Sequence, residues 1–144
     1  MNIKTKFLGE VNIDEKDIIQ FANGLPGLEN IVEFVILPLE NESPFAILQS
    51  IKETEIGFVI AVPFIFKENY EFDLLEDDKE ELKIETSDDL IIYTIVTLKD
   101  PFNSSTINLQ APLLINHNKR LAKQLVLQSL DAYPLRFPIE GSKA

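Results

Sequence analysis

The sequence predicts an all-β chain, a small antiparallel β-barrel-like single domain with at most short helical turns, spanning residues 1–144. Three observations point there. Short β-branched and aromatic runs alternate apolar with polar, turn residues recur about every ten positions, and no long helical period separates the runs. A chain of 144 residues has the size of one domain and can bury roughly 70% of the surface that its unfolded form exposes.

Taken in order, Ile3, Thr5 and Phe7 fall on one side of an extended stretch and Lys4 and Lys6 on the other. Val11 and Ile13 then oppose Glu10, Asn12 and Asp14, so two strands are expected with a bend or bulge at Gly9. In IIQFANGLPGLEN, the residues Asn23, Gly24, Pro26 and Gly27 supply the backbone angles of consecutive turns, and a loop is expected. Runs 32–37, 45–51 and 58–62 are bounded by Pro38, Pro44 and Pro63 and read as three more strands. DLIIYTIVTLKD is apolar on both alternating faces, which predicts a central strand buried on both. In INLQAPLLIN, Pro112 cannot donate to a ladder and marks an edge, a bulge or a change of direction. RLAKQLVLQSL fits a helical stripe almost as well as a strand, and the neighbouring pattern favours strand. YPLRFPIEGSKA is expected to end in a frayed tail.

The formal charge is −11, from 24 acidic and 13 basic residues, which argues against direct nucleic-acid binding, since phosphate neutralisation needs Lys and Arg. The same field attracts basic proteins. No run approaches the roughly 20 apolar residues of a membrane-spanning helix, so no membrane partner is expected. MNIKTKFLGEV lacks the apolar block of a secretory signal, and a cytoplasmic location is expected. The acid is concentrated: residues 68–89 hold 11 acidic residues against Lys79 and Lys83, a net −9. Tyr70, Phe72 and Leu74 alternate there with Glu71 and Asp73, so a strand would turn its rings inward. EDDKEELK reads as a short helical turn with Asp77 placed to cap it. A solvated face and a docking surface for a basic protein are both open readings of this segment. It lacks the one-three-five carboxylate spacing and turn glycine of a calcium loop, and no metal is expected.

Little in the chain points to catalysis. The only histidine, His117, lies in the polar loop NHNK, where an exposed side chain is the ordinary outcome. There is no cysteine to serve as a thiolate, no serine in a nucleophile elbow, and no phosphate-cradling glycine loop, so none of these chemistries and no cofactor is expected, while a pair of carboxylates for glycoside hydrolysis stays open in so acidic a chain.

Four blocks in order, FANGLPGLE, PFAILQS, STINLQAPLLIN and YPLRFPI, resemble the flagellar assembly factor family FliW, from about Ile3 to Ile139. Leu28 and Ile47 stand where an aromatic ring is common in that family, apolar for apolar. The resemblance implies a non-catalytic bacterial regulator with a small β-barrel-like fold. It implies two alternative partners, flagellin and the RNA-binding regulator CsrA, whose repression of flagellin synthesis it relieves. A flagellin chaperone that touches no regulator, and a small acidic β-barrel enzyme or ligand binder, are the alternatives. The expected partner-binding residues are Glu71, Asp73, Glu76, Asp77 and Asp78, with Phe64, Phe66 and Tyr70 as apolar anchors. Core packing is the competing role for the three rings. In NLQAPLLIN, Leu109, Leu113 and Ile115 are expected in the core, with Asn108 and Asn116 holding turns through side-chain to backbone bonds.

Overall fold

A computed structural model of the chain describes residues 1–39, 43–72, 74–127 and 133–139. Its strands are β1 (Asn2–Lys4), β2 (Glu10–Asn12), β3 (Ile19–Phe21), β4 (Glu33–Pro38), β5 (Phe45–Ser50), β6 (Gly57–Ala61), β7 (Leu90–Thr97), β8 (Thr106–Ile107), β9 (Leu113–Asn116), β10 (Leu121–Gln124) and β11 (Phe137–Pro138). Among the described residues one α-helix, α1 (Glu76–Glu81), interrupts them. The predicted all-β class is what forms. Seven strands close into a barrel in the order β3, β4, β5, β6, β7, β9, β10, with β10 returning to β3. The β10–β3 pairing is parallel and the other barrel pairings are antiparallel. Among the described residues, no helix is long and apolar enough to cross a membrane.

The period-two alternation sorts side chains between two layers. Phe34, Ala46, Leu48, Ile60, Leu113 and Ile115 point into the barrel with Phe21, whose ring meets Phe34 edge-on at 5.2 Å. On the outer face of the same strands, Ile47, Val59 and Ala61 join Phe66, Tyr70, Ile107, Leu109 and Ile139 in a second core. The doubly buried strand is therefore β5, not β7. Ile91 of β7 is 37% exposed and Ile92, Tyr93 and Ile95 are only half-buried, because this strand runs out to an open end of the barrel. Ile47, where the resemblance leads one to look for a ring, fills the second core.

The opposite end is closed by the loop after Phe21. Leu25 is buried there, with Leu28 and Ile31 packed behind it. Gly24 has φ +64, and a Cβ on it runs into the Leu28 carbonyl and the Glu29 backbone, so the turn demands glycine twice over. The Ile19–Phe21 part of that stretch is strand β3 rather than loop, with Ile19 and Phe21 turned into the core.

Among the described residues β1 and β2 pair only with each other, and Ile3 and Ile13 pack on Val35 from the outer face of β4. The chain leaves the strand at Thr5, whose Oγ1 donates to the Gly9 carbonyl (2.6 Å) and accepts from Leu8 N–H (2.9 Å). Phe7 is exposed as a result, instead of sharing the side of Ile3. Pro112 separates β8, which pairs with the far end of β7, from β9, which closes the barrel. Leu125 to Leu127 continue extended beyond β10, bonding back through Leu125 N to Pro112 O and Leu127 N to Gln110 O. Of YPLRFPI, Ile139 is buried, Tyr133 and Phe137 are half-buried, and Pro134, Leu135, Arg136 and Pro138 are exposed; residues 140–144, where the chain is expected to end in a frayed tail, lie outside the described residues.

Candidate functional site

The acidic segment follows β6 across the second core and down the flank of the barrel. It opens in a 3-10 turn, Pro63–Ile65, whose period of three residues places Pro63 and Phe66 on the inner side and Phe64 and Ile65 outside. Tyr70 follows, buried against Tyr133 at 4.7 Å and Phe72 at 5.5 Å, with its hydroxyl donating to the Leu109 carbonyl (2.7 Å). Burial raises the Tyr70 pKa, with the neighbouring Tyr133 hydroxyl adding to the effect, so the phenol stays protonated and keeps donating. Among the described residues 70–75 there is no strand, yet the expected sidedness survives: Tyr70 is buried, Phe72 and Leu74 are half-buried, and Glu71 is exposed. Tyr133 holds that stretch by a reciprocal pair, accepting from Glu71 N–H (3.0 Å) and donating to the Glu71 carbonyl (2.8 Å).

Helix α1 begins one residue before the expected cap. Leu75 is the N-cap, without a side-chain cap bond, and Asp77 sits in the first turn beside Glu76 and Asp78, where the positive helix end still favours it. Lys123 of β10 ties the helix to the barrel, donating to Asp78 Oδ1 (2.7 Å) and Glu81 Oε2 (3.1 Å). Burial of the ammonium works against its charge, but the two hydrogen bonds and the two carboxylate charges outweigh it and hold its pKa above the ordinary lysine value. Asn116, the last residue of β9, reaches across to the helix end: its Nδ2 donates to the carbonyls of Leu82 (2.7 Å) and Lys83 (3.1 Å). Its Oδ1 accepts from Asn118 and Lys119 N–H, the turn-holding role expected of it, and Asn108 likewise accepts from Gln110 N–H (2.9 Å).

The segment ends at Asp88 and Asp89, against His117 and Asn118. This histidine is half-buried rather than a free loop side chain, with Nε2 at 2.9 Å from the Asp88 carbonyl. A carbonyl only accepts, so Nε2 carries the proton. Asp89 accepts from the N–H groups of Glu85 and Thr86 and from Asn118 Nδ2, and these bonds lower its pKa, with His117 contributing.

Of the eight residues expected to bind a partner, Glu71, Glu76 and Asp77 present exposed carboxylates and Phe64 is 39% exposed. Phe66 and Tyr70 are interior, packed in the second core. Asp78 is buried and spent on Lys123, with its Oδ2 unpartnered. Asp73 lies outside the described residues. Glu68, Glu80, Glu81, Glu85 and Asp88 are exposed as well, so the carboxylates run along one continuous segment. Two apolar side chains that sequence reasoning passed over, Ile65 and Leu75, stand exposed among them, at 57% and 63%. The signal for Ile65 was present in the proline that starts a turn of three.

The model for FliW protein matches residues 2–139 of the chain. The chain is 46% identical over 141 residues to the flagellar assembly factor FliW of Bacillus licheniformis, covering 98% of each. It is 45% identical over 141 residues to the flagellar assembly factor FliW of Bacillus subtilis strain 168, again covering 98% of each. A crystal structure of the flagellar assembly factor FliW superposes with a TM-score of 0.89 at 41% identity, over 96% of both chains. A barrel shared along its whole length, together with these identities, means that the chain belongs to the FliW family.

Proposed function

We propose that this chain is a non-catalytic cytoplasmic regulator of flagellar assembly that works by occupying protein partners. It binds flagellin and, alternatively, the RNA-binding repressor CsrA; flagellin bound to the chain frees CsrA to block the flagellin message, and export of flagellin reverses this. The name borne by the relatives, flagellar assembly factor, supports the process. The observation that carries the partner reading is the exposed acidic strip from Glu68 to Asp88, with Phe64, Ile65 and Leu75 uncovered beside it. A protein that binds RNA presents basic groups, so such a strip is complementary to it. Charge accelerates and orients the encounter, while the apolar side chains supply the desolvated centre that holds the complex. Glu71, Glu76 and Asp77, together with Asp73, are the proposed docking carboxylates.

The test is competition. The purified chain should co-migrate with CsrA on a sizing column at low salt, and adding flagellin to that complex should restore RNA binding by CsrA. Failure to co-migrate with either protein overturns the reading. Co-migration with flagellin alone leaves a chaperone that touches no regulator.

A further inference from the structure

The loop that closes the barrel end beyond Phe21 is a run of tight turns. Gly24 N–H donates to the Phe21 carbonyl (2.8 Å), Leu28 N–H to the Leu25 carbonyl (2.7 Å) and Ile31 N–H to the Leu28 carbonyl (3.0 Å). The first of these turns holds Asn23, the only asparagine in the sequence that a glycine follows. An Asn-Gly pair is prone to spontaneous imide formation, because glycine has no side chain to hinder attack by its own nitrogen. In that reaction the Gly24 nitrogen gives up its proton and bonds to Asn23 Cγ, the Cγ–Nδ2 bond breaks, and the amide leaves as ammonia. Water then opens the cyclic imide at either carbonyl. Opening at Cγ leaves aspartate; opening at the main-chain carbonyl leaves isoaspartate, in which the chain runs through Cβ and Cγ and is longer by an atom.

We propose that Asn23–Gly24 is a modification site of this chain, held shut by the folded turn, so that isoaspartate there marks molecules whose barrel end has opened. Neither Ala22 nor Asn23 has a positive φ, and a hydrogen-bonded turn with both central φ angles negative is type I, with ψ about 0° at Asn23. Ring closure needs the Gly24 nitrogen eclipsed with Cβ about the Asn23 Cα–C bond, and at that ψ it is eclipsed with the Asn23 nitrogen instead. The proton that must be lost is engaged with the Phe21 carbonyl. Nor can the peptide swing freely. Leu25 is 2% exposed in the first core, and the Gly24 backbone lies so close to the Leu28 carbonyl and Glu29 that even a methyl group would not fit between them. The Asn23 side chain is itself exposed to the water that the second step consumes, so the backbone alone sets the rate. The product bears on the fold. An added main-chain atom lengthens a turn whose two ends are fixed, Phe21 in β3 and Leu25 in the core, and the loop can no longer seat as it did.

The test incubates the full chain at mildly alkaline pH with and without guanidinium chloride, beside the free capped peptide Phe-Ala-Asn-Gly-Leu as the reference in each buffer. Digestion and mass spectrometry then follow aspartate and isoaspartate at Asn23. In denaturant Asn23 should match the free peptide and outrun every other asparagine. In the folded chain it should react about tenfold or more slowly than the peptide, and hydrogen exchange at Gly24 N–H should be slowed by a similar factor, since the same opening exposes both. Leu25→Ala and the gentler Leu28→Ala, which thin the packing of the loop, should each speed the folded-state reaction and leave the denatured rate unchanged. The refolded isoaspartyl chain should unfold at lower denaturant than Asn23→Asp, which carries the same charge on a backbone of ordinary length. Equal rates for the folded chain and the peptide, a folded-state rate indifferent to both substitutions, a faster asparagine elsewhere in denaturant, or equal midpoints for the isoaspartyl chain and Asn23→Asp overturn the proposal.

Discussion

Residues 63–72 and helix α1 are neighbours in the chain, yet opposite forces hold them to the barrel. The first is held by area: Pro63, Phe66 and Tyr70 are buried, and rings pack on rings. The second carries Glu76, Asp77, Asp78, Glu80 and Glu81 in six residues and is held by Leu82, one lysine and one asparagine. A segment held by burial cannot lend the same side chains to a partner. A segment pinned by a few polar contacts keeps most of its charge facing water. The difference separates residues that build the surface from residues that can be read on it.

Breaking the first attachment should have the largest effect. Tyr70→Ala removes a fully packed ring and should cost about 4 kcal/mol, visible as a lower midpoint in denaturant melts with an unchanged slope. A loss below about 1 kcal/mol would place Tyr70 at the surface. Next comes the latch. Lys123→Met leaves Asp78 buried without its cation and should cost about 3 kcal/mol. Adding Asp78→Leu should restore most of that loss, because an apolar pair of similar volume needs no counter-charge. If the double variant is no better than the single, the helix is held some other way. Tyr70→Phe keeps the ring and leaves only the Leu109 carbonyl unpaired, for about 1.5 kcal/mol.

How much of this was legible follows from the range of each interaction. Alternation marked β4, β5 and β6 to within a residue or so, and Pro112 marked the break between β8 and β9, because both signals are local. The closing pairs, β7 with β9 and β10 with β3, join strands far apart in the chain and leave no local pattern. The same holds within the site. Glu76 and Asp77 read as surface acid and are surface acid, but Asp78 looks identical in sequence, and its partner Lys123 lies 45 residues away. Phe64 and Phe66 were alike on composition; only the three-residue period of the turn separates them.

A smaller effect sharpens the comparison at the end of the acidic segment. The Asp89 carboxylate has a lowered folded pKa, so its contribution is complete above the ordinary aspartate value of 3.8 and is lost as pH falls from there through the folded value. Asp89→Asn should flatten that acid limb of the stability profile by lowering stability at neutral pH toward its low-pH value, and leave stability below the limb nearly unchanged. A flattening near neutral pH instead would assign the limb to another group.

The central claim, that exposed acid on α1 and its approach is read by a basic partner, is tested most directly by association kinetics with CsrA across ionic strength. Reversing Glu71, Glu76 and Asp77 to Lys puts two cations in the first turn of α1 and should cost on the order of 1 kcal/mol of stability, leaving the chain folded, while slowing association about tenfold or more at low salt. The two rates should converge as salt screens the field. Equal rates for both proteins at low salt would contradict the account.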